Sequence, residues 1–148
     1  MIRIAHTPWL LGLLCTASWV QATAPDPALL GCWRATTIVL HTVDGARLED
    51  RSGRCTLRFK EEQLESTCRT TQGMATTTYQ YQIVRPQVYT TTLASSTVRT
   101  EMARTTREYT YRIEGERLHT ACVVSATAPE ASPTGPGTGT DATQVPCP

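Results

Sequence analysis

The chain has 148 residues, a length that suits one domain. Its 14 Lys and Arg residues nearly balance its 13 Asp and Glu residues, which gives a formal net charge of +1. A nucleic-acid-binding protein needs a basic footprint for the phosphate backbone, so this balance argues against a nucleic-acid partner.

Residues 1–22 have the features of an export signal. Arg3 supplies a positive end, residues 9–20 are mostly apolar, and Val20-Gln21-Ala22 places small residues at the spacing of a cleavage site. The apolar run is shorter than the roughly 20 residues that a spanning helix needs, which argues against a transmembrane anchor. We predict cleavage after Ala22, no integral membrane span, and a bacterial protein that is periplasmic or secreted. Loss of Arg3 would leave 13 basic and 13 acidic residues.

A long first strand is predicted after a short lead at residues 23–29. The run from Leu30 to Val43 is rich in β-branched residues, and Asp44-Gly45 after it is a strong turn signal. Residues 47–50 fit either a strand or a loop.

The segment from Cys55 to Cys68 predicts a β-hairpin with a defined register. Residues alternate in character on both sides of a polar turn at residues 60–63. Directly opposed residues of an antiparallel pair have Cα atoms about 4.5–5.5 Å apart, a separation that a disulfide can span. We therefore predict a Cys55–Cys68 disulfide. The opposed pairs would be Phe59 with Leu64, Leu57 with Ser66, and Cys55 with Cys68.

Four further strands are predicted at residues 74–84, 87–100, 104–113 and 116–124. No long segment has helical periodicity, and the 27 threonines of the chain favour strands over helices. The sequence thus predicts an all-β domain over residues 30–126. Its fold would be an antiparallel up-and-down β-barrel of seven to eight strands, with a β-sandwich as the alternative.

The composition changes abruptly after Ala126. Residues 127–148 are rich in Pro, Gly and Thr and have almost no apolar content, so we predict a disordered C-terminal tail. A solvated extension is the simplest role for it, and Cys147 is the one feature that suggests a tether.

Five cysteines would remain after export, because Cys15 lies in the signal. Cysteines of an exported protein are expected to form disulfides, and none here has the Cys-x-x-Cys spacing typical of zinc sites. A second candidate disulfide joins Cys32 to Cys122, between the first and last predicted strands, although strand parity opposes it. The odd number leaves one thiol free, paired between chains, or used in the tail.

Motifs for catalysis and metal binding are weak. The sequence has no Gly-x-Ser-x-Gly elbow and no Gly-rich phosphate loop. A His119/Cys122 metal pair would lack the four ligands of structural zinc. We predict a non-enzymatic protein that uses no cofactor and no metal.

Six aromatic residues are predicted to point inwards from the strands. The interior of a barrel of this size is only just wide enough for its own side chains, so core packing is their simplest role. The functional alternative is a small pocket in which tyrosine hydroxyls meet the polar end of a ligand. The candidate ligand-lining residues are Trp33, Phe59, Tyr79, Tyr81, Tyr109 and Tyr111.

Leu30-Gly31-Cys32-Trp33 and the long strand after it resemble the Gly-x-Trp opening of the calycin superfamily, the lipocalin-like barrels. The hairpin at residues 107–118 is similar to the late hairpins of small bacterial lipocalin-like domains. The resemblance covers residues 30–124, and the Thr-Asp-Tyr segment of lipocalins is absent. It implies a barrel whose base is closed by Trp33 and which binds a small apolar or amphipathic ligand.

The sequence also resembles the periplasmic inhibitors of bacterial metalloproteases, which are small exported barrels with a Gly-x-Trp opening and one disulfide. In that family the segment before the barrel reaches into the protease, which would implicate Thr23–Leu29. We predict binding of a small hydrophobic ligand as the function. Protease inhibition and a purely structural role in the envelope are the alternatives.

Overall fold

The computed structural model describes residues 23–42, 44–98, 106–123 and 137–148. The predicted signal at residues 1–22 lies outside these ranges. Within them, no helix has the length and apolar character needed to cross a membrane.

Nine strands form one antiparallel sheet that closes on itself. The sheet order is β2-β1-β3-β4-β5-β6-β7-β8-β9, and β9 also pairs with β1. Eight strands form a closed barrel and β2 is an extra strand beside β1, so the prediction of an all-β antiparallel barrel is confirmed. The strands are β1 Gly31–His41, β2 Arg47–Asp50, β3 Cys55–Phe59, β4 Gln63–Thr70, β5 Gly73–Arg85, β6 Val88–Ser96, β7 Thr106–Glu114, β8 Arg117–Cys122 and β9 Gly137–Val145.

Strand β1 is long enough to pair with three other strands. Residues 31–34 pair with β3 and residues 38–41 pair with β2, while β9 lies along the other edge. The register with β9 shifts between Ala35 and Thr37. A bulge of this kind bends the strand and increases its twist, which helps a small sheet to close.

The β3–β4 hairpin has the predicted register. Cys55 pairs with Cys68, Leu57 with Ser66, and Phe59 with Leu64. The Cys55–Cys68 disulfide is present, with a Cα–Cα distance of 4.0 Å. The alternation of apolar and polar residues was sufficient to predict this register, because a shift by one residue would turn every apolar side chain to the opposite face.

The prediction of a disordered tail is wrong for residues 137–145, which form β9 between β8 and β1. Pairing on both sides satisfies the backbone N–H and C=O groups of this segment. Its order therefore comes from its neighbours rather than from its own apolar content. The barrel extends beyond the predicted boundary at residue 126, and residues 127–136 lie outside the described ranges.

The predicted Cys32–Cys122 disulfide is also wrong. Cys32 is bonded to Cys147, with a Cα–Cα distance of 5.2 Å, and Cys122 is a free thiol. Strands β1 and β8 run in the same direction because both are antiparallel to β9. Cys32 near the start of β1 and Cys122 at the end of β8 therefore lie at opposite ends of the barrel.

Aromatic side chains close one end of the barrel, which we call the closed end. Trp33 is 0% exposed, and its indole Nε1–H donates to the carbonyl oxygen of Leu29 at 2.9 Å. Leu29, in the turn before β1, is fully buried beside it. The opposite end, where β3 begins and β4 ends, is called the far end. The buried core consists of Leu29, Trp33, Phe59, Leu64, Tyr81, Ile83, Tyr89, Tyr111, Leu118 and Ala142.

Candidate ligand-binding site

A cavity of about 210 Å³ lies within the barrel, between the aromatic core and the far end. Its walls come from all eight strands of the closed barrel, and only side chains from the inward face of each strand contribute, as alternation requires. The lining residues are Ala35, Ile38, Cys55, Leu57, Leu64, Ser66, Tyr79, Tyr89, Thr91, Tyr109, Thr120, Thr138 and Thr140.

The cavity wall is uncharged and rich in hydroxyl groups. Eight of the thirteen lining residues are Ser, Thr or Tyr, and none is Asp, Glu, Lys, Arg or His. Threonine presents a methyl as well as a hydroxyl, so the wall combines apolar surface with hydrogen-bonding groups. A wall of this kind suits an amphipathic molecule without charge in the buried part.

The cavity volume restricts the size of an occupant. Pockets for drug-sized ligands usually measure about 300–1,000 Å³. The 210 Å³ found here corresponds to about seven water molecules at the density of the liquid. The cavity therefore has room for a small molecule and cannot enclose a whole long-chain lipid in the present conformation.

Three threonines lie deepest in the wall. Thr91, Thr120 and Thr140 are only 4%, 3% and 8% exposed, and Thr120 lies directly opposite Thr140 in the β8–β9 ladder. A buried hydroxyl needs a hydrogen-bond partner, and among the described residues no buried side-chain oxygen or nitrogen lacks one. Each hydroxyl has further acceptor capacity that a ligand can use.

Tyr89 forms the boundary between the aromatic core and the cavity. Its ring stacks on that of Tyr109 at a centroid distance of 5.3 Å and an interplanar angle of 12°. Burial raises the pKa of Tyr89 far above its ordinary value, although a hydrogen bond with Thr120 opposes the rise. Tyr89 is therefore a neutral phenol at any physiological pH.

The six predicted ligand-lining aromatics divide into two groups. Tyr79 and Tyr109 lie on the cavity wall. Trp33, Phe59, Tyr81 and Tyr111 pack together in the core at the closed end, so core packing describes these four.

The hydroxyls of Tyr81 and Tyr111 point away from the cavity. Tyr111 donates to Oδ2 of Asp26 at 2.7 Å, and Tyr81 donates to the carbonyl oxygen of Lys60. Burial raises the pKa of Tyr81 to about 12, and the nearby carboxylates of Asp26 and Glu61 add to the rise. These hydroxyls fasten the lead and the β3–β4 turn to the closed end.

Tyr89 and the four threonines of the wall were not among the predicted ligand-lining residues. Tyr89 has the same parity as Thr91 and Leu93, a signal that pointed to an inward position. Thr138 and Thr140 were missed because their strand lies within the predicted tail. Thr91 and Thr120 were missed because threonine suits a solvent-facing strand equally well.

The lead before the barrel is partly built into the fold. Leu29 is buried and Asp26 bonds to Tyr111, whereas Thr23 and Ala24 are exposed. Residues 23–25 border a surface groove of about 530 Å³, to which Glu61 and Glu62 also contribute. Protease inhibition through Thr23–Leu29 stays a prediction.

The described residues contain no group of three or more His, Cys, Asp or Glu side chains that could hold a metal ion. His119 and Asp141 face each other across the β8–β9 ladder, with Nδ1 and Oδ1 2.5 Å apart, on the outer surface. Both side chains are more than half exposed, so the pair lies in water and away from the cavity.

No protein-family model matches the chain, and no curated protein matches it. A solved structure does. It is a lipocalin-like protein from Bacteroides uniformis, which aligns with a TM-score of 0.52 at 12% sequence identity and covers 80% of this chain and 99% of that chain. The fold is lipocalin-like. At this identity the similarity shows the fold alone, and the resemblance to metalloprotease inhibitors stays a prediction.

Proposed function

We propose that this lipocalin-like barrel is a non-enzymatic binding protein that holds a small amphipathic ligand in its interior. The observation that carries the proposal is the cavity of about 210 Å³ with an uncharged wall of threonine, tyrosine and aliphatic side chains. A barrel of eight strands can hold one small ligand in this way.

The location that we propose is the periplasm or the extracellular space. The Cys32–Cys147 and Cys55–Cys68 disulfides support it, since structural disulfides persist in oxidising compartments. The export signal predicted at residues 1–22 agrees with the same location.

A cavity-filling substitution tests the proposal. Ala35 is 3% exposed and lines the cavity, so Ala35→Phe should place a ring in the ligand's space. Leu40→Phe adds a ring at an exposed position of the same strand and serves as the matched control. Native mass spectrometry of the protein purified from its source, followed by calorimetric titration of the ligand, would measure binding.

We expect Leu40→Phe to bind as the wild type does and Ala35→Phe to lose at least tenfold in affinity. Near-ultraviolet circular dichroism would show that both variants keep their tertiary packing. Undiminished binding by a folded Ala35→Phe variant would place the ligand outside the barrel and contradict the proposal.

A further inference from the structure

Arg107 is a charged residue on the inward face of a barrel strand. It lies two residues before Tyr109 on β7, and Thr91 is its direct partner on β6. Both of these neighbours line the cavity. Arg107 is half-buried and lies one step nearer the far end than Tyr109.

The charge of Arg107 acts on three groups of the barrel, the hydroxyls of Tyr79 and Tyr109 and the thiol of Cys122. Burial raises the pKa of each of these groups, and the charge of Arg107 opposes the rise in all three.

No carboxylate of the described residues lies within 4.0 Å of Arg107. The outward face of the same strand is different, because Glu108 pairs with Arg85 and Arg112 pairs with Glu114 at 3.0 Å. The strand thus balances its charges on the solvent side and leaves a cation towards the interior. A half-buried cation without a counter-charge is costly, and a bound anion offsets that cost.

We propose that the ligand carries a carboxylate, which Arg107 binds at the far end of the cavity while the uncharged part of the ligand fills the wall of threonines and aliphatic side chains. The inference rests on the proposed function and specifies its ligand class. A guanidinium matches a carboxylate with two parallel N–H···O bonds. Tyr79 and Tyr109 line the same cavity, and their hydroxyls can donate hydrogen bonds to an anion.

Matched pairs of small ligands test the charge requirement. The carboxylates are hexanoate, octanoate and benzoate, and the alcohols of the same skeletons are hexanol, octanol and benzyl alcohol. Calorimetric titration of the wild type should show that at least one carboxylate binds more tightly than its alcohol by about tenfold to a hundredfold, as expected of charge-assisted hydrogen bonds.

Two substitutions of Arg107 and a control substitution on the same strand show whether Arg107 causes the preference for the carboxylate. Arg107→Gln should reduce the affinity for the carboxylate to that for the alcohol and leave the alcohol's affinity unchanged. Arg107→Lys keeps the charge but loses the two parallel N–H donors of the guanidinium, so it should retain part of the preference for the carboxylate. Arg112→Gln removes a cation from the outward face and should change neither affinity.

Glu101 lies in the segment 99–105, outside the described ranges, and is the nearest carboxylate before β7 in the sequence. Glu101→Gln should leave the carboxylate preference as it is. A preference that arises only in this variant would overturn the inference, as would equal binding of acids and alcohols by the wild type. Equal binding would leave the proposed function standing, whereas binding of neither class would overturn both proposals.

Discussion

All five tyrosines of the chain have pKa values above the ordinary one, and burial is the main cause for each. Burial penalises the phenolate far more than the neutral phenol. The pKa values of Tyr81 and Tyr109 reach about 12, compared with about 10 in an unfolded chain. The interior thus keeps every tyrosine of the protein neutral.

Alkaline pH should therefore destabilise the barrel. The stability that arises from these shifts is fully present below about pH 10, and it is lost as the pH rises through the folded pKa values. We expect phenolate absorbance to show the ionisation of the tyrosines displaced above pH 10, with an abrupt rise as the protein unfolds. Near-ultraviolet circular dichroism along the same titration would report the unfolding. An ordinary tyrosine titration with this signal intact would contradict the packing described above.

Removal of one hydroxyl at the closed end should weaken the attachment of the lead. Tyr111→Phe deletes the bond to Asp26, and a hydrogen bond to a charged group is worth about 1.5–3 kcal/mol. Since Asp26 is only half-buried, we expect a loss at the lower end of that range in urea unfolding. Tyr79→Phe is the control because its hydroxyl belongs to the cavity wall. A larger loss of stability from Tyr79→Phe than from Tyr111→Phe would contradict the stabilising role of the Tyr111–Asp26 hydrogen bond.

Single residues also show where sequence reasoning reaches its limit. Tyr79 and Tyr109 could be placed inside because an aromatic residue with strand parity strongly favours the interior. Thr91 and Thr120 could not, because a threonine fits water and a polar cavity equally well. Arg107 breaks the alternation outright, and only the three-dimensional arrangement shows that it has inward neighbours.

At the scale of elements, β9 differs most from expectation. Thr138, Thr140 and Ala142 alternate with Gly139 and Asp141, so a strand pattern exists in the sequence. The surrounding Pro and Gly residues hide that pattern, and the pairing that orders the strand is entirely non-local. In contrast, the β3–β4 hairpin was predictable because its partners are adjacent in sequence.

Deletion of residues 137–148 should open the barrel. The edges of β1 and β8 that β9 covers would become exposed, and free edges favour association between chains. We expect aggregation in size-exclusion chromatography and loss of the near-ultraviolet signal. A Cys147→Ser variant keeps the strand and should stay monomeric if the wild type is monomeric. A truncated chain with native packing would show that β9 is dispensable.

The two disulfides should differ in their contribution to stability. Cys32–Cys147 joins residues 115 apart and Cys55–Cys68 joins residues 13 apart. The chain-entropy account gives about 4.7 kcal/mol for a loop of roughly 100 residues and about 3 kcal/mol for one of roughly 15. We expect guanidinium unfolding to show a larger loss of stability when Cys32 and Cys147 are both replaced by Ser than when Cys55 and Cys68 are. The opposite order would mean that loop length is not the controlling factor.

For the whole molecule, the barrel divides into a packed half and a hollow half. The closed end buries Trp33, Phe59 and Leu29 almost completely, while the cavity occupies the region towards the far end. The fold class followed from alternation and turn signals, whereas the ninth strand did not. The cavity could not be predicted, because an internal space depends on the summed volumes of inward side chains from every strand.

The ladder that closes the barrel joins its first strand to its ninth. A ribosome delivers β1 long before β9, so the seam between them can form only when nearly the whole sheet has been synthesised. Until that moment the nascent chain cannot complete its barrel. A late-arriving seam thus gives this protein a built-in delay between synthesis and completion of its fold.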